Sequence, residues 1–378
     1  MQLYAAKDYN TYAQLGQFQE AAKCLQTALK DNPNDLETFY MLQRLGEKIL
    51  DSTLKNKINK ILSKDDCTET NLTYGNLLLA KFEQQAGNYE KELDYLLKGH
   101  DYFFQSKSTN FKAQLKYWFS LLPRIEESVT EMASLFRYTT KIFNFEKSDE
   151  NNYHLKPIFI VGLPRCGSTL IEKVITSGTK QIVIGEETGI FNFFLHQGSR
   201  EKILEAYRQR NLIQAASDHT FTDKSLENFF YIKFIKKIFP SAKIINCTRD
   251  TTSCIMSILQ TNLTEVAWAH NLKHIFQYFD IYRKKIEGHK ATFPNLIYDL
   301  SYEKFISNPE AESKKLMEYC NLPWSKRCLE FYKRKDIVSN TASDVQIRKE
   351  INKQTLDKYL PYKPFVLKHK EGENNAII

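Results

Sequence analysis

The sequence predicts an all-α N-terminal domain followed by a three-layer α/β domain, in which a mostly parallel sheet lies between helices. Three observations predict this organisation. The N-terminal third carries small residues at the spacing of a helical repeat. In the remainder, short apolar runs end at glycine or polar residues and give way to helical periodicity. The length of 378 residues suits two or three domains.

Residues 1–122 are predicted to form an array of tetratricopeptide-like helical repeats. The matching positions of the first repeat are Tyr12, Gly16, Ala21, Ala28 and Pro33, and those of the later one are Leu79, Ala80, Gly87, Asn88, Tyr89 and Leu96. Gly87 follows Gly16 by about two periods of a ~34-residue repeat. Stacked repeats form concave surfaces, so this domain is interpreted either as a site for a protein partner or as an oligomerisation module. Residues 123–156 are predicted to be a partly helical linker, and 157–378 the second domain.

The second domain begins with the pattern of an anion-binding loop. Ile158 to Val161 predict a buried strand, Gly162 to Gly167 a tight loop, and Leu170 onward a helix. The first backbone N–H groups of such a helix favour a phosphate or sulfate. The glycine spacing is that of the nucleotide triphosphate P-loop, but Ser168 occupies the position of its lysine, and Arg165 is the cation of the loop.

A second short strand, Ile182 to Ile184, ends in the paired carboxylates Glu186 and Glu187. Strand ends are where α/β enzymes bind ligands, and a carboxylate there can accept the proton of an attacking hydroxyl. The structural alternative is that the pair stabilises the start of a helix, because acidic residues favour the first helical turn. Glu186 fits that alternative better than Glu187.

Two further strand ends carry basic residues. Lys224 precedes an amphipathic helix for which Asp223 or Ser225 is a candidate cap. Arg249 follows the strand-like run 243–247, and an arginine can bind a phosphate through two parallel hydrogen bonds. Ser257 lies about two helical turns later and is expected to share a face with Arg249.

The order and spacing of these motifs resemble the sulfotransferases, in particular the branch that contains tyrosylprotein sulfotransferases and bacterial sulfotransferases with tetratricopeptide repeats. The resemblance rests on the order Pro-Arg-x-Gly-[ST]-Thr-Leu, on Gly-Glu-Glu-Thr and on the later motifs, and it covers residues 157 to about 360. It implies in-line transfer of a sulfuryl group from 3′-phosphoadenosine-5′-phosphosulfate (PAPS) to an acceptor hydroxyl, with no metal.

The resemblance also implies roles for individual residues. Glu187 is expected to be the general base and Lys224 to neutralise charge on the leaving phosphate. The 5′-phosphosulfate is expected to be bound by Arg165 and the backbone N–H groups of Cys166, Gly167, Ser168 and Thr169. Arg249 and Ser257 are expected to bind the 3′-phosphate. A late segment resembles the family's donor-covering segment, and in it Ser343 and Lys353 are expected to contact the donor nucleotide. Tyr302 and Trp324 are expected to be core aromatics.

Several positions depart from the family. Cys166 replaces a usual serine, so its thiol at a helix start is expected to be reactive, and Thr261 replaces a third cation. Gly189 and Phe193 replace arginines that engage acidic peptides, which leaves protein tyrosine, saccharide and small-molecule hydroxyls open as acceptors. Two alternatives remain: an inactive sulfotransferase-like domain in a repeat-based interaction protein, motivated by Cys166 and Thr261, and a P-loop nucleotide kinase, against which the missing lysine counts.

Composition restricts the partners. The formal net charge is +8, which suits a polyanionic donor, but the lysines are dispersed, so no nucleic-acid binding is expected. The seven cysteines form no C-x-x-C pair, which favours neither a disulfide framework nor a zinc site. The chain start lacks the apolar run of a signal peptide, and no apolar stretch reaches about 18 residues. A cytoplasmic protein without a membrane partner is therefore expected.

Overall fold

The computed structural model describes residues 9–127, 155–179, 182–194, 200–213, 220–334 and 349–375. At its centre lies a sheet of five parallel strands in the order β2-β3-β1-β4-β5. The strands are β1 Ile158–Gly162, β2 Ile182–Val183, β3 Thr220–Asp223, β4 Lys243–Thr248 and β5 Ile297–Ser301. All residues of β1 are buried, as its unbroken apolar sequence predicts for a central parallel strand. The predicted parallel sheet is thereby confirmed.

Helices make up most of the remaining described structure. The N-terminal helices are α1 Phe18–Asp31, α2 Leu36–Arg44, α3 Ser52–Leu62, α4 Glu69–Gln85, α5 Tyr89–Ser106 and α6 Ser108–Lys116. The helices around the sheet are α7 Ser168–Gly178, α8 Ile190–Phe194, α9 Arg200–Gln209, α10 Ile232–Ile238, α11 Thr251–Thr261, α12 Leu272–Thr292, α13 Tyr302–Ser307, α14 Pro309–Tyr319 and α15 Lys363–Asn375. No helix in these segments is long and apolar enough to cross a membrane.

The two glycines of the predicted repeats occupy equivalent turns. Gly16 precedes α1 and Gly87 separates α4 from α5, and both have a φ of 74°. Glycine adopts this left-handed conformation without the steric cost that a Cβ atom imposes. The turns therefore agree with the predicted positions, while the assignment to a repeat family stays a prediction.

The N-terminal helices α2 to α5 share a hydrophobic core with the α/β part of the chain, whereas the buried side chains of α1 belong to a separate cluster. The cluster of buried apolar side chains runs from Leu36 in α2 to Val366 in α15. Polar contacts cross the same boundary, because Glu92 of α5 accepts hydrogen bonds from Gln260 Nε2 at 2.7 Å and from the Tyr362 hydroxyl at 2.5 Å. Residues 1–122 are predicted as a separate domain, and in the described part of this range helices α2 to α5 pack against the sheet domain.

A pair of buried histidines also joins the two parts. The Nδ1 atoms of His100 in α5 and His270 lie 2.8 Å apart, and their Nε2 atoms contact the carbonyl groups of Leu259 and Leu263. The ring of Phe111 stacks on His270 at 5.4 Å. Burial lowers the pKa of His100 to about 4 and also lowers the pKa of His270. Burial therefore disfavours protonation of both rings in the folded protein.

This pair is expected to make the free energy of unfolding depend on pH. Below the unfolded-state histidine pKa of about 6.5, the unfolded chain binds protons that the folded chain excludes, so stability is present above this pH and is lost as the pH falls towards 4. The loss at pH 5 is expected to be about 2 kcal/mol per histidine. Denaturant unfolding at pH 7.5 and pH 5 measures it.

The informative comparison is between two histidine variants. His100→Gln is expected to reduce the stability difference between the two pH values, whereas His369→Gln, which changes an exposed side chain in α15, is expected to leave it unchanged. An equal pH dependence in the wild type and His100→Gln would contradict the assignment.

Candidate functional site

The carboxyl ends of the five strands converge on one edge of the sheet. The segments that follow them carry Arg165 after β1, Glu187 after β2, Lys224 after β3, Arg249 after β4 and Tyr302 after β5. A cavity of about 420 Å³ opens here. The predicted site residues that line it are Arg165, Gly167, Ser168, Thr169, Glu187, Arg249 and Ser257. Parallel strand order thus brings together residues that are far apart in the chain.

The loop after β1 has the backbone shape of an anion cradle. Arg165 has a φ of 69° and Gly167 a φ of 97°, and α7 begins at Ser168. A Cβ atom on Gly167 would lie 2.5 Å from Cδ2 of Tyr302, so only glycine allows the ring to approach the loop this closely. The first N–H groups of α7 have no carbonyl acceptor within the helix. The loop therefore keeps the geometry that its sequence predicts.

Cys166 differs from its predicted role. Its backbone N–H donates to the Leu163 carbonyl at 3.1 Å, which closes the turn, so this amide does not belong to the proposed anion donors. Its side chain is only 1% exposed and packs against Gly162, where an added Cβ atom would lie 2.8 Å from Sγ. The sulfur faces the core, and hydrogen bonding with Cys247 lowers the pKa of its thiol, so the expected reactivity stays a prediction.

Glu187 and Lys224 form an ion pair at the edge of the cavity. Lys224 Nζ donates to Glu187 Oε1 at 2.6 Å, and the lysine side chain is 0% exposed whereas that of Glu187 is 54% exposed. Burial lowers the pKa of Lys224, but the carboxylates of Glu187, Glu172 and Glu186 outweigh burial and raise it overall. Lys224 thus stays charged beneath Glu187 and does not line the cavity, in contrast to the predicted contact with a leaving phosphate.

The neighbouring carboxylate of Glu186 lies in a different environment. Glu186 has a φ of 53°, and its Oε1 lies 3.4 Å from Nζ of Lys173. Its backbone N–H donates to Glu172 Oε1 at 3.1 Å, and its carbonyl accepts from the Lys224 N–H at 2.7 Å. These contacts fix the turn after β2, so Glu186 anchors a loop and does not cap a helix. Only Glu187 of the pair lines the cavity.

The carboxylate of Asp223 links several side chains at the end of β3. Its carboxylate accepts hydrogen bonds from the Thr188 and Tyr207 hydroxyls, both at 2.6 Å, and from the Ser225 hydroxyl at 2.7 Å. The short 3-10 helix Leu226–Phe230 that follows has no side-chain cap from Ser225. The predicted capping role is therefore wrong, because Asp223 is used to tie the segments after β2 and β3 together.

Two arginines form the basic end of the cavity. Arg165 Nε donates to Ser257 Oγ at 3.0 Å, and Ser257 lines the same cavity as Arg249. Arg249 Nη1 donates to the Arg165 carbonyl at 3.0 Å, and its guanidinium lies 4.3 Å from the centre of the Tyr302 ring. Arg249 Nε is buried and has no hydrogen-bond partner within the described residues. An anion would satisfy this donor.

The structure adds lining residues that sequence reasoning missed. They are Tyr302, predicted as a core aromatic, together with Glu227, Lys349, Lys358 and Tyr359. Lys353 is exposed and does not line the cavity, and Ser343 lies outside the described residues. The Thr261 hydroxyl donates to the Ser257 carbonyl at 2.6 Å. The Trp324 indole N–H donates to Ser313 Oγ at 2.9 Å, which agrees with the structural role predicted for Trp324.

Comparison with known proteins relates part of this site to a known family. Residues 197–326 match the model of a sulfotransferase family. About a third of the chain is therefore similar to a sulfotransferase family. The match contains Lys224, Arg249 and Ser257, and it begins after the loop and Glu187. The sulfotransferase resemblance is thereby confirmed, while the part that concerns tetratricopeptide repeats stays a prediction.

Three relatives align with the sulfotransferase part of the chain. An uncharacterized protein of Aquifex aeolicus (strain VF5) is 31% identical over 56% of this chain and 31% of its own length. Protein-tyrosine sulfotransferase A of Caenorhabditis elegans is 24% identical over 57% of this chain and 64% of its own length. Omega-hydroxy-beta-dihydromenaquinone-9 sulfotransferase Stf3 of Mycobacterium bovis is 29% identical over 26% of this chain and 28% of its own length. The alignments thus span less than two thirds of each relative.

A solved structure also aligns with the chain. The sulfotransferase domain of the Synechococcus PCC 7002 olefin synthase superposes with a TM-score of 0.44 and 16% identity, over 56% of this chain and 90% of that domain.

Proposed function

We propose that this protein is a PAPS-dependent sulfotransferase that uses Glu187 as the general base towards an acceptor hydroxyl. The observation that carries the proposal is the position of the Glu187 carboxylate. It lines the same cavity as Arg165 and Arg249, and the buried ammonium of Lys224 holds it at 2.6 Å. The match to the sulfotransferase family supports the reaction class.

The residues of the cavity fit a donor that carries several negative charges. Arg249 Nε is a buried donor without a partner in the described structure, and Arg165 lies in direct contact with Arg249. We propose that Arg249 and Ser257 hold the 3′-phosphate of the donor. Arg165 and the backbone N–H groups of Gly167, Ser168 and Thr169 would bind the 5′-phosphosulfate. When bound, PAPS supplies an activated sulfuryl group.

Glu187, in its ion pair with Lys224, would then accept the proton of the acceptor. A carboxylate within hydrogen-bond reach takes the proton as the hydroxyl attacks, which contributes about 10²- to 10⁴-fold to the rate. Glu187 is the exposed member of the pair, so it is the group that can reach an acceptor. Lys224 acts through Glu187 as a positioning residue, because its own side chain is buried.

Thermal unfolding with 3′,5′-adenosine bisphosphate (PAP), the product of the donor, tests the donor site without an acceptor. A ligand at about 100 times its dissociation constant stabilises the native state by about 2.7 kcal/mol, which raises the melting temperature by a few degrees. We expect this rise with PAP and a smaller one with ATP and Mg²⁺. A response to ATP and Mg²⁺ alone would favour a kinase, and no response to either would favour an inactive domain.

A further inference from the structure

We infer that the part of the cavity around Glu187 and Glu227 takes an uncharged alcohol or phenol on an apolar body, and that Glu227 discriminates against acceptors with negative charge. This inference rests on the sulfuryl transfer proposed above. It concerns the chemical class of the acceptor and adds a specificity-determining residue that the sequence patterns did not reveal.

The positive charges of the cavity belong to one connected group. Arg249 donates to the carbonyl of Arg165, and its guanidinium lies 5.8 Å from the ring of Tyr359. Lys358 Nζ donates to the Tyr359 hydroxyl at 3.1 Å. These contacts gather the basic side chains around the proposed phosphate sites. The remaining basic lining residue, Lys349, is followed by Glu350, which also lines the cavity, so these two add no net charge.

The negative charges lie around the proposed base. Glu227 is the third residue after Lys224 and belongs to the 3-10 helix Leu226–Phe230, which follows β3. Glu187 is neutralised by Lys224, but no basic side chain of the described segments lies within ion-pair distance of Glu227. Burial raises the pKa of Glu227, and the Glu187 carboxylate raises it further. The half-buried Glu227 therefore presents to an acceptor a carboxyl group that no ion pair within the described segments neutralises.

Within the described segments, no arginine of the adjoining loop pairs with these carboxylates. Arg210 is the arginine that contacts this loop, and its Nη1 donates to the Thr188 carbonyl at 2.5 Å. It does not line the cavity. An acidic peptide would consequently bring its carboxylates towards Glu187 and Glu227 without gaining an ion pair there, and like charges at short distance are unfavourable.

Part of the uncharged lining is apolar. It comprises Leu170, Leu226, Leu263, Val266 and Ile351. Burying an apolar body against such side chains is favourable, whereas a hydrated charged group would lose its water without a partner. The lining therefore favours a hydroxyl attached to a ring or an alkyl chain.

The test compares kcat/KM for PAPS-dependent transfer to three acceptors. They are 2-naphthol and two end-capped pentapeptides with a central tyrosine, one flanked by alanines and the other by glutamates. We expect 2-naphthol to exceed the glutamate peptide by at least about tenfold, and the alanine peptide to exceed it as well. The tenfold ratio corresponds to about 1.4 kcal/mol.

Glu227 variants show whether this residue sets the ratio. Glu227→Lys is expected to shift the preference towards the glutamate peptide by about tenfold or more, and Glu227→Gln in the same direction by less. Glu265→Gln is the matched control, because Glu265 is exposed beside Val266 and does not line the cavity, so its ratio is expected to equal that of the wild type. The rise in melting temperature with PAP checks that each variant is folded.

The outcomes separate this inference from the proposed function. A protein that responds to PAP but prefers the glutamate peptide, or transfers to none of the three acceptors, overturns the inference and leaves the donor site intact. An unchanged ratio in folded Glu227→Lys overturns the role of Glu227. A wild-type protein that does not respond to PAP overturns the proposed function and the inference with it.

Discussion

Replacement of Glu187 by glutamine is expected to lower kcat by about 10²- to 10⁴-fold while the affinity for PAP stays unchanged. Glutamine keeps the size of the side chain and can still accept a hydrogen bond from Lys224, but it cannot take a proton. The donor groups Arg165 and Arg249 do not contact Glu187 in the structure, so PAP binding does not depend on the carboxylate. Steady-state rates and PAP titration of the same preparation measure both quantities.

The matched control is the adjacent carboxylate. Glu186 lies one residue away but contacts Lys173 and does not line the cavity. Glu186→Gln is therefore expected to reduce kcat by less than about tenfold, which is the size of a loop effect and not of lost base catalysis. If Glu187→Gln retained full turnover, or if Glu186→Gln were the more damaging change, Glu187 would not be the base.

Replacement of Arg249 by alanine is expected to weaken PAP binding by about 10- to 100-fold. A hydrogen bond to a charged group contributes about 1.5–3 kcal/mol, and each 1.4 kcal/mol changes an equilibrium constant tenfold. Arg249 presents a buried Nε without a partner in the described residues, and the ring of Tyr302 supports its guanidinium plane. The rate at saturating donor is expected to fall less than the affinity does, because Arg249 is assigned to the 3′-phosphate.

Two further variants make this result interpretable. Arg249→Lys is expected to recover only part of the affinity, because an ammonium group cannot form the planar, two-pronged contact. Arg283→Ala removes an exposed arginine of α12 that pairs with Asp280, and it is expected to leave PAP binding unchanged. Equal PAP affinity in the wild type and Arg249→Ala would remove Arg249 from the donor site.

Local patterns predicted the parts of the fold that depend on adjacent residues. The apolar run of β1 and the glycines of the following loop predict a buried strand and a tight turn, and the structure has both. Since parallel strands present their carboxyl ends at one edge, the sequence also placed Glu187 and Arg249 close together. These predictions succeeded because each depends on a short stretch of chain and on a general rule of sheet topology.

The sequence did not reveal features that depend on contacts between distant segments. Tyr302 was predicted as a core aromatic, yet its ring packs on Gly167 and beneath Arg249, which no local pattern encodes. Lys224 was expected to face the donor, but the structure buries it beneath Glu187. The carboxylate of Asp223 serves two loops and not its own helix. Each of these roles follows from tertiary packing. A side chain can be given such a role only when the residues that it contacts are known.

The most direct test is the transfer of ³⁵S-labelled sulfate from PAPS to 2-naphthol by the wild type and by Glu187→Gln, with PAP affinity measured for both. We expect labelled naphthyl sulfate from the wild type, a rate at least about 10²-fold lower for the variant, and equal PAP affinity for both proteins. Equal rates of label transfer by the two proteins would contradict the role of Glu187 as general base.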